Sequence, residues 1–301
     1  MTNAADEEAV LLGLPPVAPA RTVAYGPHPD QIVDLYGPDG SYGPYGPDGP
    51  STGTRRGAGT GTGAATGTGT GTGAALTGPL IVLVHGGFWR AAYDRRHLSP
   101  LAALLAGRGL PVALAEYRRV GAGGGAPQTF EDVAAAIGTA VREAPHAAGS
   151  AGSGGSGPAP VLVGHSAGGQ LALLAAARPG TPVTRVIAVA PVADLTRAHE
   201  LGLGAGAVAD LLGDGPGLPE RLAAADPARH PPPVGIPVTI LHGTDDPDVP
   251  LDISRRYAAA HPATTELREL PGVGHFAPIT PGTASCDALA ALLCPVRDTP
   301  E

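Results

Sequence analysis

Short apolar runs alternate with helical periodicity along most of this 301-residue chain. LIVLVH (80 to 85), PVALAE (111 to 116), PVLVG (160 to 164), TRVIAVA (184 to 190) and PVTILH (237 to 242) each read as a buried parallel strand, because a strand covered on both faces has no polar side to show. Between them, Leu98, Leu101, Leu104 and Leu105 recur at helical spacing before Gly107 and Gly109. Phe130, Val133, Ile137 and Val141 do the same after Thr129, which reads as an N-cap with Asp132 at the third position. Strand then helix, repeated, predicts an α/β architecture with a mostly parallel central sheet and helices on both faces. Thr22 to Tyr36, ending in QIVDLY, is expected to supply antiparallel leading strands, and ELREL (266 to 270) a sheet edge.

Two stretches break the pattern. From 37 to 78 the chain runs through YGPDG-like repeats and alternating Gly and Thr, with no apolar face to offset the entropy of ordering. This reads as a disordered insert in a hairpin-like loop, either a plain linker or a Tyr-Gly-Pro interaction tract using Tyr36, Tyr42 and Tyr45. Residues 147 to 158 (AGSAGSGGSGP and its lead-in) read as a second flexible connection. The expected organisation is a tail over 1 to 21, then one domain over 22 to 301 interrupted by these inserts, with a small lid region at about 192 to 233.

Composition narrows the function. The hydrophobic share of 43% is ample for a core, while the aromatic share of 4% leaves Ala, Val and Leu to fill it. The net charge is -8, and all 19 basic residues are Arg, scattered without a patch, so nucleic acid is not an expected partner. Acidic residues stand where a secretory signal would be positive, and no run approaches the ~18 apolar residues of a membrane span, so a cytoplasmic protein without membrane partner is expected. Cys286 and Cys294, eight residues apart on an expected helix, would lie ~12 Å apart, beyond disulfide reach.

GHSAGG (164 to 169) carries the chemistry. It follows the strand PVLVG and precedes the helical run QLALLAAAR, the setting a Gly-x-Ser-x-Gly nucleophile elbow requires. Gly164 and Gly168 are needed because side chains there would strike neighbouring backbone, and Ser166 occupies the strained tip. A serine hydroxyl needs a base, and the base needs a carboxylate to hold its tautomer. HGTDDPDVP, after PVTILH, offers Asp245, Asp246 and Asp248. Asp246 is preferred, with Asp245 and Asp248 as turn or solvated residues and Asp194 in reserve. His275, in the Gly-rich turn after ELREL, is the expected base. Of the other histidines, His85 and His165 read as structural, His242 as a strand end, and His97 among the ordinary surface ones. HGGFW (85 to 89) follows LIVLVH and reads as an oxyanion loop, with backbone N–H donors assigned to Gly87, Phe88 and Ala167; each such donor contributes about 3 kcal/mol in the transition state.

Together, HGGFW, GHSAGG, HGTDDPDVP and PGVGHF resemble the esterase/lipase branch of the α/β-hydrolase superfamily over about Ile81 to Val296. The HGGxW form is similar to the kynurenine formamidase group and its esterase relatives, whereas the hormone-sensitive-lipase group usually has a third Gly where Phe88 stands. The resemblance implies a Ser166-His275-Asp246 triad with neither metal nor organic cofactor. It also implies that Tyr117 and Arg118, in EYRRVG, support the oxyanion loop. For substrate, Trp89, Tyr93 and Phe276 are candidate pocket walls, with Phe88 beside them and a core role open for Trp89. Arg90 and Arg197 are candidates for a substrate carboxylate, with solvated surface as the alternative. The expected activity is carboxylesterase-like hydrolysis of small esters or amides; arylformamidase activity is one alternative, and a non-catalytic binding protein on the same fold another. A homodimer is compatible with the sequence, which does not set the oligomeric state.

Overall fold

Strands of unbroken Val, Leu, Ile and Ala make the middle of a sheet whose two faces are both buried, and the alternation of side chains divides them between two cores. In the computed structural model, which describes residues 4–37, 78–143 and 159–294, β3 (Ile81–Val84) sends Val82 and Val84 to one cluster and Ile81 and Leu83 to the other. Among the described residues the sheet has eight strands: β1 (Arg21–Ala24), β2 (Ile32–Tyr36), β3, β4 (Val112–Ala115), β5 (Val161–His165), β6 (Arg185–Val189), β7 (Val238–Gly243) and β8 (Thr265–Leu270). Their order is β1-β2-β4-β3-β5-β6-β7-β8, with the β1-β2 and β2-β4 pairs antiparallel and every other pair parallel. This is the α/β-hydrolase arrangement expected above.

The helices follow the apolar stripes. α2 (Ser99–Gly107) and α9 (Ala284–Leu293) pack on one face; α3 (Gln128–Glu143), α4 (Ala167–Ala177) and α8 (Leu251–Ala260) pack on the other. The expected lid stretch holds α5 (Leu195–Glu200), α6 (Leu203–Leu212, interrupted at Gly204–Gly206) and α7 (Leu218–Ala225). β8 is the outer parallel strand, and its exposed residues carry charges, with Glu266 paired to Arg268 and Glu269 to Arg255. Charged side chains blunt an edge against further pairing.

In its fold the chain departs from the sequence-based expectations in four places. β2 pairs with β1 and β4 rather than β3, so the segment from 37 to 80 joins strands that are not neighbours instead of closing a hairpin. The insert itself, and most of the one at 147 to 158, lie outside the described residues. Tyr36 belongs to β2 and is buried, its hydroxyl donating to the Val17 carbonyl at 3.0 Å, which removes it from any interaction tract. Thr129 lies inside α3 and donates to the Arg118 carbonyl, while Asp132 binds the Arg118 guanidinium: a long-range ion pair displaced the local cap. Finally, the segment expected as a tail contains α1 (Ala4–Leu12), with Leu11 and Val17 buried in the second core. No helix among the described residues is long and apolar enough to cross a membrane.

Candidate active site

The sheet order reverses between β3 and β5, and in open α/β sheets such a switch point opens a crevice at the carboxyl ends of the strands. The registers Val84↔Gly164 and Val84↔Ala115 bring those ends level, so the loop at 85 to 89 emerges beside the turn that follows β5. At that turn Ser166 adopts φ 55° and ψ -120°, left-handed backbone for a residue with a side chain, immediately before α4. The reason for its flanking glycines is steric: a Cβ on Gly164 would strike the carbonyl of Gly168, and one on Gly168 the carbonyls of Val84 and His85. The Ser166 N–H donates to Val189 at 2.8 Å, and its carbonyl accepts from Gly169 and Val192, which pins the elbow to β6 and α4.

Two loops across the crevice supply an imidazole and a carboxylate. His275 Nδ1 donates to Asp246 Oδ2 at 2.6 Å. With the hydrogen fixed on Nδ1, Nε2 keeps its lone pair, the form a general base requires. Asp246 also accepts backbone N–H groups of Asp248 and Val249 on Oδ1, each at 2.9 Å, and lies 3.2 Å from His242 Nε2. Burial opposes its ionisation, but the bonds from His242, His275 and Val249 outweigh burial and hold the carboxyl well below the usual carboxylate range. His242 thus does more than end a strand: its Nε2 meets the Val249 carbonyl at 2.8 Å beside the Asp246 carboxylate, with Nδ1 against the Ser254 hydroxyl at 2.6 Å. That placement had no sequence signal beyond His242 standing at the end of β7.

His165, between Gly164 and Ser166, packs behind His275. Its ring lies 4.6 Å from that of His275, and its Nε2 donates to the His275 carbonyl at 3.1 Å. Burial, reinforced by the nearby His275, pushes His165 well below its ordinary value, so it is a neutral packing partner.

The loop at 85 to 89 turns through three successive positive-φ residues, Gly87 (105°), Phe88 (49°) and Trp89 (59°). Among the described residues the N–H groups of Gly87, Phe88 and Ala167 have no acceptor within the protein. A buried network holds this loop: His85 Nε2 bonds Glu116 Oε1 at 2.8 Å, and the Tyr117 hydroxyl donates to the His85 carbonyl at 2.8 Å. Burial works against the Glu116 charge, but His85, Arg119 and the Arg95 N–H overcome it and pull the carboxyl down to about 2. Arg118 is engaged elsewhere, with Asp132, so the network passes from Tyr117 and Glu116 to Arg119 and Arg95.

Ser166 and His275 open into a pocket of about 100 Å³, walled by Phe88, Tyr93 and Phe276 and by Glu8, Leu11 and Leu12 of α1. His97 and Asp248, expected on the surface, also line it; burial raises the Asp248 carboxyl and pushes His97 down to about 4. Trp89 does not reach this wall. It is 1% exposed, in the core, with its indole N–H on Gln170, because its left-handed backbone turns the ring toward α4. Arg90 and Arg197 do not line the pocket either: Arg90 is paired with Asp210, and Arg197 with Glu200 and Asp252. Asp194, the reserve acid, caps α5 and binds Arg256. Among the described residues, Asp246, Asp248 and His275 form the one group whose potential metal-ligand atoms lie within 4.8 Å of one another, yet Asp246 and His275 are already joined by their own hydrogen bond.

The family model "Alpha/beta hydrolase family" matches residues 81–291. No curated protein matches. Among solved structures, the chain is similar to an inhibited esterase B from Lactobacillus rhamnosis (18% identity, TM-score 0.63, covering 96% of this chain and 90% of that one). It is also similar to a propionate-bound thermophilic esterase from Thermogutta terrifontis (22% identity, TM-score 0.59, 91% of each chain). A third is an acetyl ester-xyloside bifunctional hydrolase from Caldicellulosiruptor lactoaceticus (18%, TM-score 0.60, 93% of this chain and 95% of that one).

Proposed function

Because the chain belongs to the alpha/beta hydrolase family, we propose that it is a serine esterase cleaving small carboxylic esters through an acyl-enzyme on Ser166. The observation that carries this reading is the 2.6 Å bond between His275 and Asp246, facing the same pocket as the strained Ser166. His275 Nε2 takes the Ser166 proton as Oγ attacks the ester carbonyl; the oxyanion is held by the N–H groups of Gly87, Phe88 and Ala167. The proton then passes from His275 to the departing alkoxide, which leaves as the alcohol. In the second half His275 deprotonates water, whose attack on the acyl carbon returns the proton to Ser166 and releases the acid. No step calls on a metal or cofactor.

The pocket also bears on the substrate. Its volume of about 100 Å³ suits an acyl group of a few carbons. Glu8 and Asp248 line it without an Arg among the lining residues, and Arg90 and Arg197 are occupied by other carboxylates. A substrate carboxylate such as that of N-formylkynurenine would meet like charge, which favours neutral esters over the arylformamidase reading. A fluorophosphonate probe tests the proposal: the wild-type protein should be labelled and Ser166→Ala should not. Folded wild-type protein that stays unlabelled would return the chain to the reading as a binding protein on a hydrolase fold.

A further inference from the structure

The loop carrying His275 runs from the end of β8 at Leu270 to a 3₁₀ turn at Ala277–Ile279, with no regular strand or helix of its own to hold it. What holds it comes from the other end of the chain. Glu7, on α1, is 5% exposed and points its carboxylate into this loop. Oε1 accepts the N–H of Gly274 at 2.9 Å, and Oε2 accepts those of Phe276 at 3.0 Å and Ala277 at 2.8 Å. The three donors flank His275 on both sides, so the carboxylate spans the residue whose ring meets Asp246. Hydrogen bonds to an ionised acceptor are stronger than neutral ones, and a buried N–H that loses its acceptor is costly. α1 is itself secured, with Leu11 1% exposed in the second core and the Val17 N–H on the Ser99 hydroxyl at 2.9 Å.

We infer that Glu7 is a positioning residue for His275: α1 sets the backbone of the histidine loop, and so the reach of Nε2 toward Ser166. The neighbouring turn of α1 adds Leu11 and Leu12 to the pocket wall, so the same helix that holds the base also bounds the acyl group. The catalytic half of this inference rests on the serine-esterase reading; the structural half does not.

Glu7→Ala and Glu7→Gln should therefore be compared with wild type, and with Asp6→Asn on the exposed side of α1, in p-nitrophenyl acetate hydrolysis and in amide hydrogen exchange over 271–279. For Glu7→Ala the expectation is a fall in kcat of about 100-fold with KM nearly unchanged, since misplacing a reacting group costs that much without touching the substrate. Glu7→Gln keeps one acceptor oxygen and should lose about 10-fold. Exchange should accelerate within 271–279 and stay unchanged in the β-strands, and Asp6→Asn should match wild type. Unchanged kcat in both Glu7 variants, or exchange that rises throughout the sheet in step with lost activity in both, would overturn the inference. If the wild type hydrolyses nothing, the esterase reading fails, while the exchange pattern still decides whether Glu7 holds the histidine loop.

Discussion

Gln170 accepts the indole N–H of Trp89 at 3.1 Å, joining the loop that follows β3 to the helix that begins just after Ser166. Both side chains are buried, and the Gln170 amide donates onward to the Ala225 carbonyl on α7 at 3.2 Å. The proposed nucleophile and the N–H groups proposed to receive its oxyanion are thereby tied by one side-chain contact.

Trp89→Phe keeps most of the ring but strands the Gln170 oxygen. We expect a loss of about 1 to 3 kcal/mol in unfolding free energy, the cost of an unsatisfied buried acceptor. Turnover should fall by more than stability alone explains, because the residues at 87 to 89 hold positive φ only while their surroundings enforce it. Urea unfolding beside kcat measurements checks both; equal activity in the variant would mean the tie is dispensable.

Asp246→Asn should lower kcat on the order of 10³- to 10⁴-fold, since an amide facing Nδ1 favours the wrong imidazole tautomer. Asp248 accepts no bond from His275, so Asp248→Asn should retain ester turnover within a few-fold. It should instead raise kcat/KM for N-formylkynurenine relative to p-nitrophenyl acetate by about 10-fold, by removing a negative charge from the pocket wall. The ratio of the two substrates, measured in both variants, reports the outcome, and an unmoved ratio would reject electrostatic exclusion.

Acid stability should depend on Glu116, whose carboxyl falls from 4.5 to about 2 in the folded protein. A depressed acid contributes its stabilisation above the unfolded value and loses it as pH drops through the folded one. The contribution, about 3 kcal/mol, should thus be complete above pH 5 and disappear between about pH 4.5 and 2. Glu116→Gln should be less stable at pH 7 and show a shallower decline over that window in chemical denaturation. Parallel acid limbs in the two proteins would contradict this.

Glycines offer a paired test of close approach. Gly168→Ala drives a methyl group into the Val84 and His85 carbonyls and should cost at least about 2 kcal/mol and most of the activity. Gly138, inside α3, faces only the flexible end of Arg142, so Gly138→Ala should stabilise by about 0.5 to 1 kcal/mol through helix propensity. Thermal unfolding of the pair should move in opposite directions.

Acyl preference should follow the 100 Å³ pocket. Among p-nitrophenyl esters, acetate to butyrate should be best, and Tyr93→Ala should extend the optimum by a few carbons by removing one wall. An optimum at octanoate or beyond in the wild type would show that the described walls do not bound the acyl group.

Much of this molecule is written locally. Runs of apolar residues between 80 and 243 announce β3 to β7, because a doubly buried strand leaves no room for polar alternation. The glycines at 164 and 168 announce a turn too tight for side chains, and the collisions found at both are the reason. The order of Ser166, Asp246 and His275, after β5, β7 and β8, could be read off in the same way. What local pattern could not supply is any partner chosen by packing. Glu7 looks like one more acidic residue in a tail, and only the folded chain brings it onto loop residues 267 to 270 positions away. Thr129 and Asp132 fit a helix cap by spacing, yet a guanidinium from the end of β4 claims the aspartate. Trp89 reads as a pocket wall until three positive-φ residues turn it into the core, and His97 and Asp248 read as solvated until the crevice closes around them. Periodicity and steric necessity act between near neighbours and leave their mark in the sequence; hydrogen-bond and charge partners are selected among all groups that the finished fold brings within 3 Å or so, and that choice belongs to the tertiary structure.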